Sequence, residues 1–268
     1  MSVLRHAFQR FVADNCTGLA KEIAYSSLLA FFPALVALVG LLDLVNAYGT
    51  LRSFLEPVAP KAVTELVDTF AQDSGGKGSA VAFALGTLTA LWVASGAMNT
   101  VVHSVNTAYE VRETRPFWKL RILSGLLVIA FAAVTVGLAL LIVLGSTFGQ
   151  AIAHRAGAGS AFEWLWNLAR WPIAFLAVLL LFELVYYAAP DVTRRWRWVS
   201  AGSALGAVSW LALSGLFALY TQFSNSYTRT YGTLVGAIVL IVWLNYTAWA
   251  LLFGAELNAL LERRHRHP

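Results

Sequence analysis

Ser95, Asn99, His103 and Asn106 follow one another at spacings of four, four and three residues inside a largely apolar stretch. At about 100° per residue they fall within an arc of about 80°, so a helix here would carry polar groups, one of them titratable, down a single face. Gly96, Thr100 and Thr107 widen that face. It could line a cavity open to the cytoplasm; it could equally serve only to hydrogen-bond helix to helix. Glu183, in LLLFELVYY, is sharper because it ionises. It lies roughly 10 Å along a helix from the break at Pro190. A carboxylate at that depth in a membrane costs on the order of 3 kcal/mol, so it must be protonated, paired or wetted. A proton-coupled or cation-binding role fits it, as does a structural bond to a Tyr, an Asn or His103. Near the end of the chain Asn245, Trp249, Leu252 and Glu256 share another face, with Asn258 just beyond. Lys21 and Arg115 are candidate basic partners for Glu256.

Other chemistry finds little support. His6, His103, His154, His265 and His267 show no metal-ligand spacing with carboxylates, His265 and His267 at the tail apart. No phosphate-cradling glycine loop, dinucleotide motif or nucleophile elbow occurs. No catalytic, cofactor-binding or metal site is therefore expected, and no enzyme. Cys16 stands alone, which excludes an intramolecular disulfide. The closing ERRHRHP is basic, but an anionic membrane explains it better than nucleic acid.

The elements that must carry these residues follow from composition. Of 268 residues 59% are hydrophobic and 12% charged; a soluble domain has about twice that charged share. There is too little polar surface to cover a core, so lipid is the expected solvent. Apolar runs of roughly 20 residues cross a bilayer as helices. They fall at Ile23–Leu44, Ser79–Val102, Leu120–Leu144, Trp171–Ala189, Val199–Phe223 and Leu234–Ala255, the second being the least pure. With the N-terminus in the cytoplasm, thirteen of the nineteen Lys and Arg fall in inner segments, as expected where positive charge resists translocation. The expected fold is all-α: one integral membrane domain over residues 1–268, six transmembrane helices, both termini inside.

Short interfacial helices complete this plan. Val3, Leu4, Ala7, Phe8, Phe11 and Val12 form an apolar face opposite Arg5, Gln9 and Arg10, which suits a helix on the inner interface or one packed on protein. Residues 57–73 read as an external amphipathic helix before the breaker DSGGKGS. Pro33 should kink the first span. The first apolar run is too long for a cleavable signal peptide. The pairs Gly145/Gly149, Gly202/Gly206 and Gly232/Gly236 allow close backbone approach, within the chain or in a homo-oligomer.

The stretches EIAYSSLLAFFPALVAL, LWVASGAMNTVVHSVNTAYEV with RPFWK, YYAAPDV with WRWVSAG, and YGTLVGAIVLIVWLNYTAWALLFGAELNA together resemble the YihY/BrkB family of bacterial inner-membrane proteins. The likeness runs from about residue 10 to 260, and the stretch from Gly254 to Asn258 is its most specific part. Ala201 stands where the family pattern would have proline, and no family motif supplies Glu183. The resemblance implies a six-helix membrane domain with an envelope role; the family's old label, ribonuclease BN, is regarded as a misassignment. Two readings follow. One is translocation or hand-over of a lipid or other amphiphile through a polar cavity lined by Ser95, Asn99, His103, Asn106, Glu183, Asn245, Glu256 and Asn258. The other is a scaffold that docks a periplasmic envelope protein. Membrane lipids are partners in either case, and a ribonuclease is the least supported reading.

Overall fold

In a computed structural model of the chain, residues 3–44, 78–143, 159–194, 196–223 and 234–266 are described. Among them are seven helices and no strand: α1 Val3–Ala13, α2 Cys16–Leu44, α3 Gly78–Ala108, α4 Phe117–Val143, α5 Gly159–Ala188, α6 Ala201–Phe223 and α7 Leu234–Arg266. The external helix expected over 57–73 lies outside the described residues. Five helices, α3 to α7, hold stretches long and apolar enough to cross a membrane. α2 has 29 residues and carries Pro33 inside it. α5 starts twelve residues before the expected Trp171 and absorbs Pro172, which the hydropathy pattern had placed near a helix start. α7 continues through the arginine tail to Arg266.

The helices pack in chain order, α2 on α3 through to α6 on α7, and α7 returns to α2, closing a ring of six. α3 and α7 also touch across it, and α1 lies against α7 and α2. Polar contacts join the N-terminal parts of α2, α4 and α6 to the C-terminal parts of α3, α5 and α7. Examples are Ser26 to Thr100 at 3.3 Å, Arg121 to the Trp92 carbonyl at 2.5 Å, and the Gly202 N–H to Asn258 Oδ1 at 2.8 Å. Neighbouring helices therefore alternate in direction.

Burial is concentrated at one end of this ring. The buried residues all fall within 7–30, 90–127, 179–207 and 248–259, the parts nearest the connectors 109–116 and 189–200. Beyond that level the helices expose Leu85, Leu88, Ile129, Leu216 and Leu219, as lipid-facing surfaces do. α6 packs tightly on both neighbours: a side chain at Gly202 would overlap the Gly254 carbonyl of α7, and one at Gly206 would meet Phe182 and the Tyr186 hydroxyl of α5. Apolar contact alone drives helices together weakly in lipid, so such close backbone packing matters. The Gly202/Gly206 pair thus serves contacts within the chain. Gly145/Gly149 and Gly232 lie outside the described residues. Farther along α6 and α7, Trp210 Nε1 donates to Thr247 at 3.1 Å and Trp243 Nε1 to Ser214 at 3.2 Å.

Candidate functional site

The N-terminus of α6 organises the first polar cluster. Ser200 and Ser203 form a reciprocal cap, each backbone N–H donating to the other's hydroxyl at 3.0 and 3.2 Å. This satisfies amides that the first helical turn leaves without partners. Ala201 follows as the first helical residue, a position that proline also fits, so its departure from the family pattern leaves the local geometry intact. Asn258, arriving from α7, accepts from the Gly202 N–H at 2.8 Å and donates to Ser200 Oγ at 2.8 Å. Ser200 in turn donates to the Glu183 carboxylate. Glu183, Ser200, Ser203 and Asn258 are all buried. Glu183 is thus paired through Ser200, rather than with a Tyr, an Asn or His103.

A second cluster ties α1 to the bundle. Arg10 pairs with Glu110 and lies 3.6 Å from Asp14 and 3.4 Å from Glu256. Glu256 is fully buried and accepts from the Cys16 thiol at 3.4 Å. The basic partner of Glu256 is therefore Arg10, not Lys21 or Arg115. Burial pushes the Cys16 thiol above its ordinary range, and the adjacent Glu256 adds to this. Arg263 also pairs with Glu110 and donates to the Tyr109 carbonyl at 3.0 Å. Glu110 has φ of 54° and occupies the left-handed position of a helix-ending motif. There Val111 N–H reaches the Asn106 carbonyl and Glu110 N–H the Thr107 carbonyl, both at 2.9 Å. Glycine is the usual residue here. Glu110 tolerates the strain while its carboxylate holds two arginines.

Asn106 builds the third cluster. It donates to Glu113 at 2.9 Å and accepts from the Asp191 N–H at 2.9 Å, joining the two connectors. Arg115 clasps Glu113 with Nε at 2.7 Å and Nη2 at 2.6 Å, and Nη2 also reaches the Ala189 carbonyl at 2.6 Å. This guanidinium holds the Glu113 carboxylate below its ordinary range. The Thr114 hydroxyl and N–H do the same for Asp191. Arg194 bonds Glu262, the Tyr186 carbonyl and the Tyr109 hydroxyl. An open pocket of about 650 Å³ lies here, lined by residues including Arg115, Tyr187, Asp191 and Arg194.

The structure divides the 95–106 face. Ser95 is buried and bonds its own helix at the Trp92 carbonyl, 2.8 Å away; Asn106 is buried, Asn99 half-buried and His103 exposed. Relative helix heights explain this. Arg121, near the start of α4, is level with Gly96, yet α3 continues to Ala108, roughly 18 Å farther. Gly202 at the start of α6 is level with Gly254, and α7 likewise continues to Arg266, roughly 18 Å farther. His103, Glu256 and Asn258 belong to this projecting end, where water or headgroups can meet the outermost polar groups. Asn245 lies back toward the apolar half, with its Nδ2 buried. Sequence reasoning missed Arg10 and Arg194, whose loop and amphipathic contexts read as solvent-facing. It also missed Ser200, although the spacing of SAGS before an apolar run is a readable capping signal.

A family profile described as virulence factor BrkB matches residues 7–268. The ribonuclease-like protein YfkH of Bacillus subtilis is 32% identical over 273 residues, covering 100% of this chain and 98% of that protein. A UPF0761 membrane protein of Aromatoleum aromaticum is 30% identical over 94% of this chain and 61% of its own length. Another, from Chromohalobacter salexigens, is 28% identical over 98% of this chain and 64% of its own length. The chain thus spans less than two thirds of those UPF0761 relatives. No solved structure matches. With its apolar helices and this likeness along nearly its whole length, the chain is a multi-pass membrane protein and belongs to the virulence factor BrkB family.

Proposed function

We propose that this protein moves or hands over an amphiphilic molecule in the bacterial inner membrane, crossing it six times with both termini in the cytoplasm. The observation that carries the reading is a polar stripe on α7. Asn245 Nδ2 and Trp249 Nε1 are buried and find no hydrogen-bond partner among the described residues, and on the same face the buried Glu256 Oε2 has the Arg10 guanidinium 3.4 Å away but no hydrogen bond. At about 100° per residue these three side chains share an arc of about 40°, and they extend along roughly 16 Å of helix. Buried polar atoms are nearly always satisfied, and leaving one unmet costs about 1–3 kcal/mol. A line of them on one helix face suits a path along which water or a polar headgroup supplies the missing bonds. The sixth crossing would be α2, which closes the ring between α3 and α7. The Lys and Arg distribution supports the sidedness.

The test uses purified protein in liposomes with fluorescent lipids, reading exchange between leaflets. Wild type should exceed empty vesicles, while Asn245→Leu and Glu256→Gln should insert normally and lose most of the excess. Wild type indistinguishable from empty vesicles would sink the proposal. Cysteines placed at 245 and 249 should react with a water-soluble thiol reagent; silence at both positions would favour the scaffold reading.

A further inference from the structure

The α3–α4 seam holds an arginine with an unusual set of neighbours. Arg121 has no acidic partner among the described residues. Its guanidinium lies 3.9 Å over the Trp92 ring, and Nη2 donates to the Trp92 carbonyl at 2.5 Å. That carbonyl already accepts from Ser95 Oγ at 2.8 Å. Arg121 Nε is buried and without a hydrogen-bond partner among the described residues, as is the hydroxyl of Ser124, a residue 0% exposed. Residues three apart on a helix are neighbours on its surface, so Arg121 and Ser124 hold adjacent positions on α4. Gly96 opposite contributes no side chain; a Cβ there would sit 3.5 Å from Arg121 Nη1. These buried donors border the outer surface, where Trp92 is 62% exposed and Leu88 and Leu85 continue its row along α3.

We propose that this seam binds the phosphate of an anionic membrane lipid, Arg121 and Ser124 donating to its oxygens while an acyl chain lies along Trp92, Leu88 and Leu85. Three observations favour this ligand. An unpaired guanidinium inside a membrane helix needs a counter-charge, and its planar donor set matches phosphate oxygens. The free hydroxyl beside it is a second donor. Arg121 stands only about 6 Å along the helix from the α4 start, close to the depth expected of headgroup phosphates. The site requires neither that the lipid be moved nor that α7 provide its path.

Equilibrium binding tests this separately from movement. Protein purified in detergent would be titrated with phosphatidylglycerol, phosphatidylcholine, or the water-soluble headgroup glycerol phosphate, with retained lipid read by native mass spectrometry. Phosphatidylglycerol should bind about tenfold or more tighter than phosphatidylcholine, and glycerol phosphate should not compete at equal concentration. Arg121→Gln should abolish the preference. Ser124→Ala, which leaves the Arg121–Trp92 contact intact, should reduce it several-fold. Equal binding of both lipids by wild type overturns the proposal, as does full competition by glycerol phosphate or an undiminished preference in Ser124→Ala.

Discussion

Asn258 joins the start of α6 to the end of α7, and replacing it measures what that junction contributes. Asn258→Ala removes the acceptor of the Gly202 N–H and the donor to Ser200 Oγ. Hydrogen bonds between membrane helices average about 0.6 kcal/mol, so the two together contribute roughly 1 kcal/mol. The larger effect is the stranded Gly202 N–H, a first-turn amide in a buried contact that leaves no room for another side chain. An unmet buried donor adds about 1–3 kcal/mol. The expected loss is therefore about 2–4 kcal/mol, seen as a lower midpoint in reversible unfolding in mixed micelles. Asn258→Asp refines the test. It keeps the acceptor for Gly202 but presents a second carboxylate to the hydroxyl that already serves Glu183. That variant should be destabilised at neutral pH and partly restored on acidification. An alanine variant within about 0.5 kcal/mol of wild type would mean that the cluster is ornamental and the reasoning refuted.

Gly254→Val should abolish a monodisperse peak in fluorescence size-exclusion, because its side chain would overlap the Gly202 carbonyl and the Tyr186 hydroxyl. Gly215→Val, where an added Cβ meets nothing within 4 Å, should behave as wild type. Glu113 and Asp191 have lowered folded-state pKa values, so their stabilisation is present above the ordinary values of 4.5 and 3.8. It is lost as pH falls through the depressed folded values; the thermal midpoint should drop below pH 4.5, and Glu113→Gln should flatten that slope. Glu110→Gly relieves about 1 kcal/mol of left-handed strain but removes the carboxylate that Arg10 and Arg263 share; it should speed proteolysis of α1, and slower proteolysis would contradict the assigned role. Cys16 is 0% exposed and its thiol is held protonated, so maleimide at pH 8 should label it only after denaturation.

The apolar spans were legible because hydrocarbon length fixes their size, and five of the helices show it directly. The stripe containing Asn245, Trp249 and Glu256 was legible because helical periodicity alone defines it. Helix heights were not. Nothing in the residues between 95 and 108 says that Arg121, in the second turn of α4, stands level with Gly96, so the exposure of His103 could not be read. Arg10 failed for a related reason. Amphipathicity ranks the faces of α1 but cannot say which face meets protein, and here Leu4, Phe8 and Val12 stay exposed while Arg10 turns toward Glu256. Glu183 was found as a buried charge, but its partner Ser200 lies in a connector whose path depends on Asn106 and Asp191 meeting across the bundle.

These contacts make the two ends of the ring mechanically unlike. At the projecting end, Arg10, Arg194 and Arg263 each bridge separate parts of the chain, and most of their partners are buried or half-buried. Opening this end means separating charges and breaking hydrogen bonds together, which couples the elements and raises the cost of any one moving alone. Toward the other end α6 and α7 share two indole bonds and a row of aromatic contacts, such as Phe217 with Tyr246, and their outer residues are exposed. Apolar helix contacts differ little in free energy from lipid contacts, so separation there costs much less. The α7 stripe runs from Glu256 in the stiff end to Asn245 in the loose one. On the proposed reading, a headgroup entering between helices would meet little resistance near Asn245 and an ion-paired barrier at Glu256, which would make the Arg10–Glu256–Glu110 cluster the control point.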